Sequence, residues 1–417
     1  AVWAPPALQK RLIFRFLSPT PMQRRLAVML LLLMPGGTCL GQAALAETLL
    51  DSLAAGHTAY LRERFTDDMR TKLPEGQLQA IWGQLEQAYG PLSERGEPRE
   101  TEAAGHPTVI LPVRFGEQQW FNVRMSFDGA NRLAGLFIQP GERNAQAYSL
   151  PGYADSTAFT ERKQSVESGR WQLGGTLALP HEAKAGKPVP GVVLVHGSGP
   201  HDRDETIGPN KPFRDLAAGL ASRGIAVLRY EKRTKAYPGQ MAQPTVQQTT
   251  NDDALAAVRI LQNQPEVDSS RVFLLGHSLG GNQAPRIASR DSSIAGVILL
   301  AANARPLEEL VLEQMAYVRA QAPEDAPGFP SRAELQRQVA RVQSDTLSAA
   351  APADSLPLGL PARFWLSLRG YDPVETLRRL PVPALVLQGE RDYQVTMADF
   401  RRYEQGLAGK ANAITAS

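Results

Sequence analysis

The chain has 417 residues, of which 43% are hydrophobic and 21% charged, and this composition excludes an intrinsically disordered protein. At roughly 150 residues per domain, the length predicts two or three domains. The formal net charge is +3, but residues 1–46 hold five basic and no acidic side chains, so the remainder carries 40 basic against 42 acidic ones. The bulk of the chain therefore gives no indication of nucleic-acid binding, and the composition excludes collagen, coiled-coil and multi-span membrane proteins.

Residues 22–46 have the pattern of a secretory signal peptide. A pair of arginines precedes nine apolar residues, and a small-x-small cleavage sequence ends at Ala46. We expect residues 1–46 to be absent from a mature protein that is periplasmic or secreted, without a stable membrane span, because a span needs about 20 apolar residues. A retained anchor, twin-arginine export and a lipoprotein site at Cys39 are the alternatives. Without Cys39 the mature chain would contain no cysteine, hence no disulfide or thiolate site.

Residues 47–140 are predicted to form a small α+β domain. Apolar residues recur at helical spacing within 47–90 and predict two helices. Strand-like runs follow at 108–115, 119–127 and 133–138. This order of elements resembles an uncharacterised cystatin-like domain found ahead of many secreted hydrolases. The polar stretch 141–167 predicts a linker.

From residue 168 to 417 strand-like runs alternate with helical stretches. Near-continuous apolar strands that alternate with helices are typical of an α/β fold with a doubly wound, mostly parallel sheet. The strand-like runs lie at 171–179, 191–196, 225–230, 272–275, 297–301 and 384–388, and the helical stretches lie at 213–223, 252–262 and after 278. Between about 303 and 370 the strands stop, and the composition predicts an inserted helical cap.

The sequence Gly276-His-Ser278-Leu-Gly280 directly follows an apolar strand and precedes a helical stretch. In that setting Gly-x-Ser-x-Gly forms a sharp turn that exposes the serine hydroxyl, and the glycines leave room for the turn. The N-terminus of the following helix favours negative charge on the reacting group. We therefore predict that Ser278 is a nucleophile, with a purely structural turn as the alternative. His277 is too close in sequence to reach the Ser278 hydroxyl as its base.

A second apolar strand ends in His196-Gly197-Ser198 and opens a loop of small residues. A loop at this position supplies one backbone N–H of an oxyanion hole, and the residue after the nucleophile supplies the other. We predict the amides of Ser198 and Leu279 as these donors, and His196 as a residue that orders the loop. The charged residues 201–204 are expected to be solvated or salt-bridged, so we predict no metal site and no cofactor.

These motifs resemble those of the α/β-hydrolase superfamily, in the branch of secreted bacterial esterases and serine-aminopeptidase-like enzymes. The resemblance covers residues 168–417 and implies acyl transfer to Ser278 followed by hydrolysis. It implies Asp392 as the triad acid that orients a histidine, with Asp372 and Asp399 as alternatives. The matching stretches are 196–200, 202–204, 276–281 and 383–392.

The resemblance requires a histidine after Asp392, but all six histidines of the chain precede that residue. We expect the sequence to be a fragment or a frameshifted product, with the last strand and helix of the fold lying beyond Ser417 and with poor activity as given. A non-catalytic relative of the family is the alternative.

The function predicted from these residues is that of an exported serine carboxylesterase. Its partner would be a small-molecule ester or acyl substrate, and no nucleic acid. A peptidase or thioesterase with the same site, and a binding protein that kept the fold without the chemistry, are the other hypotheses.

Overall fold

The structure is a computed structural model, which describes residues 41–74, 76–103, 106–117, 119–141, 148–207, 210–241, 243–321 and 330–417. Most of the predicted signal peptide lies outside these ranges. The described residues divide into two compact units, 41–141 and 148–417. Within these ranges we find no helix of the length and apolar character that a membrane crossing requires.

The unit 41–141 contains four helices and an antiparallel sheet of five strands. The strands follow the order β1-β3-β4-β5, and β2 also pairs with β3. The helices are α1 (Gln42–Ala54), α2 (Thr58–Glu63), α3 (Asp67–Lys72) and α4 (Gln77–Tyr89), and the strands are β1 (Leu92–Arg95), β2 (Arg99–Ala103), β3 (His106–Phe115), β4 (Gln119–Phe127) and β5 (Leu133–Pro140).

Alternation of apolar residues along β4 builds the core of this unit. Every second residue of β4 from Phe121 to Phe127 is buried, and these side chains belong to the same apolar cluster as Leu49 and Leu53 of α1. The region predicted as two helices forms four, and α1 ends at Ala54, two residues before Gly56, whose φ of +78° lies in the left-handed region. The predicted cleavage site at Ala46 falls inside α1.

The unit 148–417 is built on an eight-stranded sheet in the order β15-β14-β13-β12-β10-β11-β9-β6. The six strands from β15 to β11 in this order run parallel, whereas β9 and β6 are antiparallel to their neighbours. The strands are β6 (Phe159–Lys163), β7 (Val166–Ser168), β8 (Trp171–Leu173), β9 (Gly175–Pro180), β10 (Val189–Val195), β11 (Ala226–Tyr230), β12 (Val267–His277), β13 (Gly296–Leu300), β14 (Ala384–Leu387) and β15 (Ala413–Ala416), with β7 and β8 forming a separate hairpin.

Helices cover both faces of this sheet, as the predicted α/β-hydrolase fold requires. Val193 and Val195 of β10 pack into the cluster that contains α7 and α8, whereas Val192 and Leu194 pack against α5. The helices are α5 (Pro212–Ala221), α6 (Arg233–Ala236), α7 (Asp252–Gln262), α8 (Leu279–Ala288), α9 (Leu307–Gln321), α10 (Arg332–Gln343), α11 (Ala362–Leu368), α12 (Pro373–Arg379) and α13 (Met397–Gly406), together with a π-helical turn (Gln247–Asn251) and two 3₁₀ turns (Ala353–Ser355, Pro357–Gly359).

The region 303–370 contains α9, α10 and α11, and the described part of it forms no strand. We call it the cap region. Its helices share one apolar cluster with Leu279, the residue after the predicted nucleophile. The cap region therefore packs beside the elbow.

Two edge strands differ from the sequence prediction. Strand β6 lies within the stretch predicted as a linker; it pairs with β9 at the sheet edge, and only its first residue, Phe159, is buried. Strand β15 and helix α13 follow Asp392, where no strand or helix was predicted from the sequence, and β15 pairs with β14 at the other sheet edge. Neither edge strand has a continuous apolar run, because neither is buried on both faces.

Candidate active site

Ser278 lies at the turn between β12 and α8. Its φ of +50° and ψ of −117° are rarely adopted by a residue with a side chain. The Ser278 N–H donates to Leu300 O at 2.9 Å, and its carbonyl accepts from Asn282 N at 2.8 Å. This strained strand-to-helix turn has the geometry that the sequence predicts for a nucleophile elbow.

Two glycines occupy positions where the turn leaves no room for a Cβ atom, and a third occupies a tight position. A Cβ at Gly276 would lie 2.2 Å from Gly280 O, and one at Gly280 would lie 2.2 Å from Val195 O. A Cβ at Gly197 would lie 3.2 Å from that of Ser278. The ends of β10 and β12 therefore meet at backbone contact distance around Ser278.

The two predicted oxyanion donors, Ser198 N–H and Leu279 N–H, have no hydrogen-bond acceptor among the described residues. Leu279 is the first residue of α8, where the helix leaves its N–H groups unpaired. Ser198 follows Gly197, whose Cα faces Ser278. Both N–H groups are thus available to bind negative charge beside the serine.

The loop that carries Ser198 is held by buried polar groups. His196 donates from Nε2 to Asp202 O at 3.0 Å, and burial lowers the pKa of His196 to about 3, so the ring is neutral. The ring of His201 hydrogen-bonds Ser198 O, and burial also lowers the pKa of His201. These contacts restrain the loop from two positions along its length.

Glu205 is a buried carboxylate at the centre of the site. Only 1% of the residue is exposed. Its Oε1 accepts a hydrogen bond from Gly197 N at 2.7 Å. Its Oε2 lies 2.9 Å from His277 Nδ1, but the angle between the two groups is unlike that of a hydrogen bond. Burial raises its pKa, but His277, His196 and the Gly197 N–H outweigh burial and leave the pKa lowered. Glu205 therefore carries its negative charge beside the nucleophile.

His277 and Lys232 are basic groups that act on Glu205 or respond to its charge. Burial lowers the pKa of His277, but the carboxylates of Glu205 and Asp392 outweigh burial and raise it. Burial lowers the pKa of Lys232 to about 8, against the opposing effect of Glu205 and Asp253. Lys232 Nζ donates to the carbonyl of Gly197.

Asp392 lies on the turn that follows β14. Its Oδ1 accepts from Gln394 N at 2.8 Å and from Val395 N at 3.2 Å, and its charge acts on His277. The two alternatives have structural roles, because Asp372 caps α12 and fully buried Asp399 pairs with an arginine. Among the three, Asp392 is the carboxylate whose electrostatic influence reaches the elbow.

No histidine contacts the Ser278 hydroxyl among the described residues, and the hydroxyl has no hydrogen-bond partner there. His196 and His201 bind loop carbonyls, and the ring of His277 faces Glu205. None of these three contacts places a histidine where it could act as the general base for Ser278.

Ser278 faces a cavity of about 120 Å³ beneath the cap region. Its floor contains Gly197 and Ser198, and its other walls are largely apolar. The apolar walls are Leu307, Leu310, Val311, Met315, Val318, Leu358, Leu360 and Val395. A larger cavity of about 300 Å³ lies beyond Asn303 and Leu307, which line both cavities.

The charged residues 201–204 take part in hydrogen bonds and ion pairs. Arg203 Nε binds Glu231 at 2.8 Å, and Asp204 binds Lys211 Nζ at 3.0 Å. Within the described ranges, no three histidine, cysteine or carboxylate side chains are arranged to hold a metal ion.

The sequence analysis did not identify Glu205 or Lys232. Lys232 comes two residues after Tyr230, the last residue of β11, and β11 is the parallel neighbour of β10. Since parallel strands place their carboxyl ends at one edge, this position beside the loop of β10 is the signal that could have identified it. Glu205 gives no comparable signal, because its position depends on how the loop folds.

Comparison with known proteins gives one consistent family. The model of the Alpha/beta hydrolase family matches residues 192–415. The chain is 35% identical over 347 residues to Esterase EstD of Thermotoga maritima, a match that covers 83% of this chain and 79% of that protein. Solved structures resemble it more distantly. Acylaminoacyl peptidase of Pyrococcus horikoshii is 14% identical with a TM-score of 0.45. That match covers 78% of this chain and 50% of the peptidase chain. An esterase of Pyrococcus furiosus is 18% identical with a TM-score of 0.43. That match covers 62% of this chain and 81% of the esterase chain.

Proposed function

The chain belongs to the α/β hydrolase family, and from this premise we propose that it is a serine carboxylesterase that acts through an acyl-Ser278 intermediate. One observation carries the proposal. Ser278 stands in a strained strand-to-helix turn, at the floor of a cavity, beside two backbone N–H groups that have no acceptor in the described structure. Such an arrangement stabilises the oxyanion that forms when a serine attacks a carbonyl.

In the proposed reaction Ser278 Oγ attacks the ester carbonyl carbon and loses its proton to a base. The carbonyl oxygen becomes an oxyanion bound by Ser198 N–H and Leu279 N–H. Collapse of the tetrahedral intermediate expels the alcohol, which takes up the proton, and leaves an acyl-serine. Water then attacks the acyl group in the same manner, releases the carboxylic acid and restores the serine.

The cavity favours a small substrate with an apolar acyl or alcohol group. Its volume of about 120 Å³ is below the 300–1,000 Å³ typical of drug-sized ligands. Leucine, valine and methionine side chains of the cap region form much of its lining, together with polar groups that include Ser278, Glu205 and Gln314. We therefore propose small uncharged esters as substrates.

Covalent labelling tests the nucleophile. A fluorophosphonate probe, incubated for hours and mapped by mass spectrometry, should modify Ser278 and no other serine. Ser278→Ala should reduce labelling to background, whereas Ser269→Ala should label like the wild type, because Ser269 is an exposed serine near the other end of β12. Label on another serine would contradict the proposal, and absence of any label would favour a binding protein.

Matched substrates separate ester hydrolysis from its alternatives. The substrates are an ester, a thioester and an anilide with the same acyl group. For each one, kcat/KM is measured and the value for Ser278→Ala is subtracted. The proposal expects the ester to be preferred over the anilide by more than the difference in their intrinsic reactivity. A preference for the anilide would indicate a peptidase, and one for the thioester a thioesterase.

We also propose that the protein is exported, because the residues before Glu47 have the pattern of a secretory signal peptide. Cleavage after Ala46 would leave Leu49, Leu50 and Leu53 of α1 in the core of the N-terminal unit. N-terminal sequencing of the exported protein should therefore start at Glu47. Recovery of material that still carries residues before Met34 would contradict this proposal.

A further inference from the structure

Lys232 makes a contact that the proposed reaction does not yet use. Its side chain is 4% exposed, and its ammonium group donates to the carbonyl of Gly197. Its backbone N–H also donates, to His201 O at 3.0 Å. Lys232 thus holds the loop that carries Ser198 at two points, once through its backbone and once through its side chain.

The carbonyl of Gly197 and the N–H of Ser198 belong to the same peptide group. A trans peptide is planar, and its C=O and N–H point in opposite directions. The contact with Lys232 on the carbonyl side therefore fixes the direction of the N–H on the other side. A positive charge near the carbonyl oxygen also polarises the peptide and makes its N–H a stronger hydrogen-bond donor.

The preceding peptide is held as well. Gly197 N–H donates to Glu205 Oε1 at 2.7 Å, so two consecutive peptide planes each have a buried charged partner. The two partners, Glu205 and Lys232, attract each other. A loop of small residues such as Gly197 would otherwise be conformationally permissive, and these contacts remove that freedom before substrate arrives.

We propose that Lys232 is a positioning residue of the oxyanion hole, which orients and polarises the Gly197–Ser198 peptide so that Ser198 N–H binds the oxyanion. The proposal rests on the proposed function, since it assigns Ser198 N–H to the transition state. Lys232 does not touch the substrate and acts through the peptide alone.

The charge of Lys232 should be lost within an accessible pH range. Burial lowers its pKa to about 8, so raising the pH from 7 to 9.5 should deprotonate it while the protein stays folded. The charged and titratable groups that face it are Glu205, His196 and His201 of the loop and Asp253 of α7, with His277 behind Glu205.

The first experiment follows the Ser198 amide directly by NMR. The full chain is labelled with [¹⁵N]serine, and the Ser198 resonance is identified by its loss in Ser198→Ala. In the wild type its shift should change with a midpoint near pH 8, and the change should be absent in Lys232→Met. Lys235→Met, which changes an exposed lysine of α6, should keep the pH-dependent change of the Ser198 shift. A Ser198 shift that does not change between pH 7 and 9.5, or that changes identically in Lys232→Met, overturns the proposal.

The second experiment measures hydrolysis of a p-nitrophenyl ester, with the rate of Ser278→Ala subtracted. Lys232→Met should lower kcat by about tenfold and leave KM within twofold, since removal of a whole oxyanion donor costs about 10²–10³ and here the donor is only weakened. Lys232→Gln, which keeps a neutral donor, should have a kcat between those of the wild type and Lys232→Met. It replaces Lys232→Met in this test if that variant does not fold. An unchanged kcat in both overturns the proposal.

The two experiments separate the possible failures. If Ser278→Ala hydrolyses the ester as fast as the wild type, the proposed function is wrong, and the NMR titration still decides whether Lys232 controls the Ser198 amide. If the hydrolysis depends on Ser278 but not on Lys232, the proposed function stands and the role of Lys232 is wrong.

Discussion

Nδ1 of His277 and Oε2 of Glu205 lie 2.9 Å apart, directly beside the elbow serine. The same carboxylate accepts the N–H of Gly197 through its other oxygen. One side chain therefore joins the residue before the nucleophile, at the end of β12, to the first turn of the loop after β10. This link joins the turn that carries Ser278 to the loop that carries Ser198.

The charge of Glu205 should stabilise the folded protein most at neutral pH. Glu205→Gln keeps an oxygen for Gly197 N–H but leaves the ammonium of Lys232 without its carboxylate. The carboxylate also acts electrostatically on the ammonium of Lys232, and loss of a buried charged partner is destabilising, so we expect the free energy of unfolding to fall by about 1–3 kcal/mol at pH 7. At pH 10 Lys232 is neutral in the folded state, because its pKa is about 8, and the loss should be smaller.

Urea unfolding at pH 7 and pH 10 measures this difference. Glu390→Gln is the matched control, because Glu390 is exposed on the turn after β14, and it should change the free energy of unfolding little at either pH. An equal loss for Glu205→Gln at both pH values would show that its effect is steric.

The buried ring of His196 should make the protein sensitive to acid. Its pKa is about 3 in the folded state and about 6.5 in the unfolded chain, so between these values only the unfolded state takes up the proton. Stability is therefore lost as the pH falls below 6.5, by about 3 kcal/mol at pH 4. His196→Gln, whose amide can donate to Asp202 O, should escape this loss.

The comparison requires unfolding measurements at pH 7 and pH 4. His181→Gln changes an exposed histidine and should lose stability between the two pH values as the wild type does. If His196→Gln also loses as much as the wild type, other groups are responsible for the acid sensitivity.

Gly280 should not tolerate a methyl group. A Cβ there would lie 2.2 Å from Val195 O and 2.7 Å from His196 O, both of them backbone atoms that cannot move aside independently. We expect Gly280→Ala to lower the free energy of unfolding by about 3 kcal/mol or more. Gly186→Ala is the control, since nothing lies within 4 Å of its Cβ position, and it should melt within a few degrees of the wild type. Equal melting temperatures would contradict the close packing at the elbow.

The features that the sequence predicted are those encoded in adjacent residues. Gly276, Ser278 and Gly280 lie within five consecutive residues, and their Gly-x-Ser-x-Gly pattern between an apolar strand and a helix predicts the turn. The alternation of apolar strands with helices likewise predicted the α/β fold, because the central strands are buried on both faces.

The features that the sequence did not predict depend on contacts made only after folding. Lys232 binds Gly197, 35 residues earlier, because β11 and β10 are neighbours in the sheet. Strands β6 and β15 lie at the sheet edges, where one exposed side removes the apolar run that identifies a strand. The Ile414 side chain of β15 is 66% exposed.

The rate of ester hydrolysis should depend on a general base that takes the proton of Ser278. A serine hydroxyl is a weak nucleophile until a base takes its proton, and loss of the histidine in a serine protease costs on the order of 10⁶ in turnover. Because no described histidine contacts Ser278, the 417-residue chain should hydrolyse p-nitrophenyl acetate slowly, with roughly 10³-fold acceleration over water from the oxyanion hole and binding.

Added imidazole should raise this rate, and the increase should be absent from Ser278→Ala, which also corrects for hydrolysis by imidazole itself. Asp392→Asn should lower the rate by less than tenfold, against about 10⁴-fold in a complete triad, because the acid has no histidine to orient. Rapid turnover that His201→Ala abolishes would contradict this prediction. It would show that the ring now bound to Ser198 O turns toward the nucleophile and serves as its base.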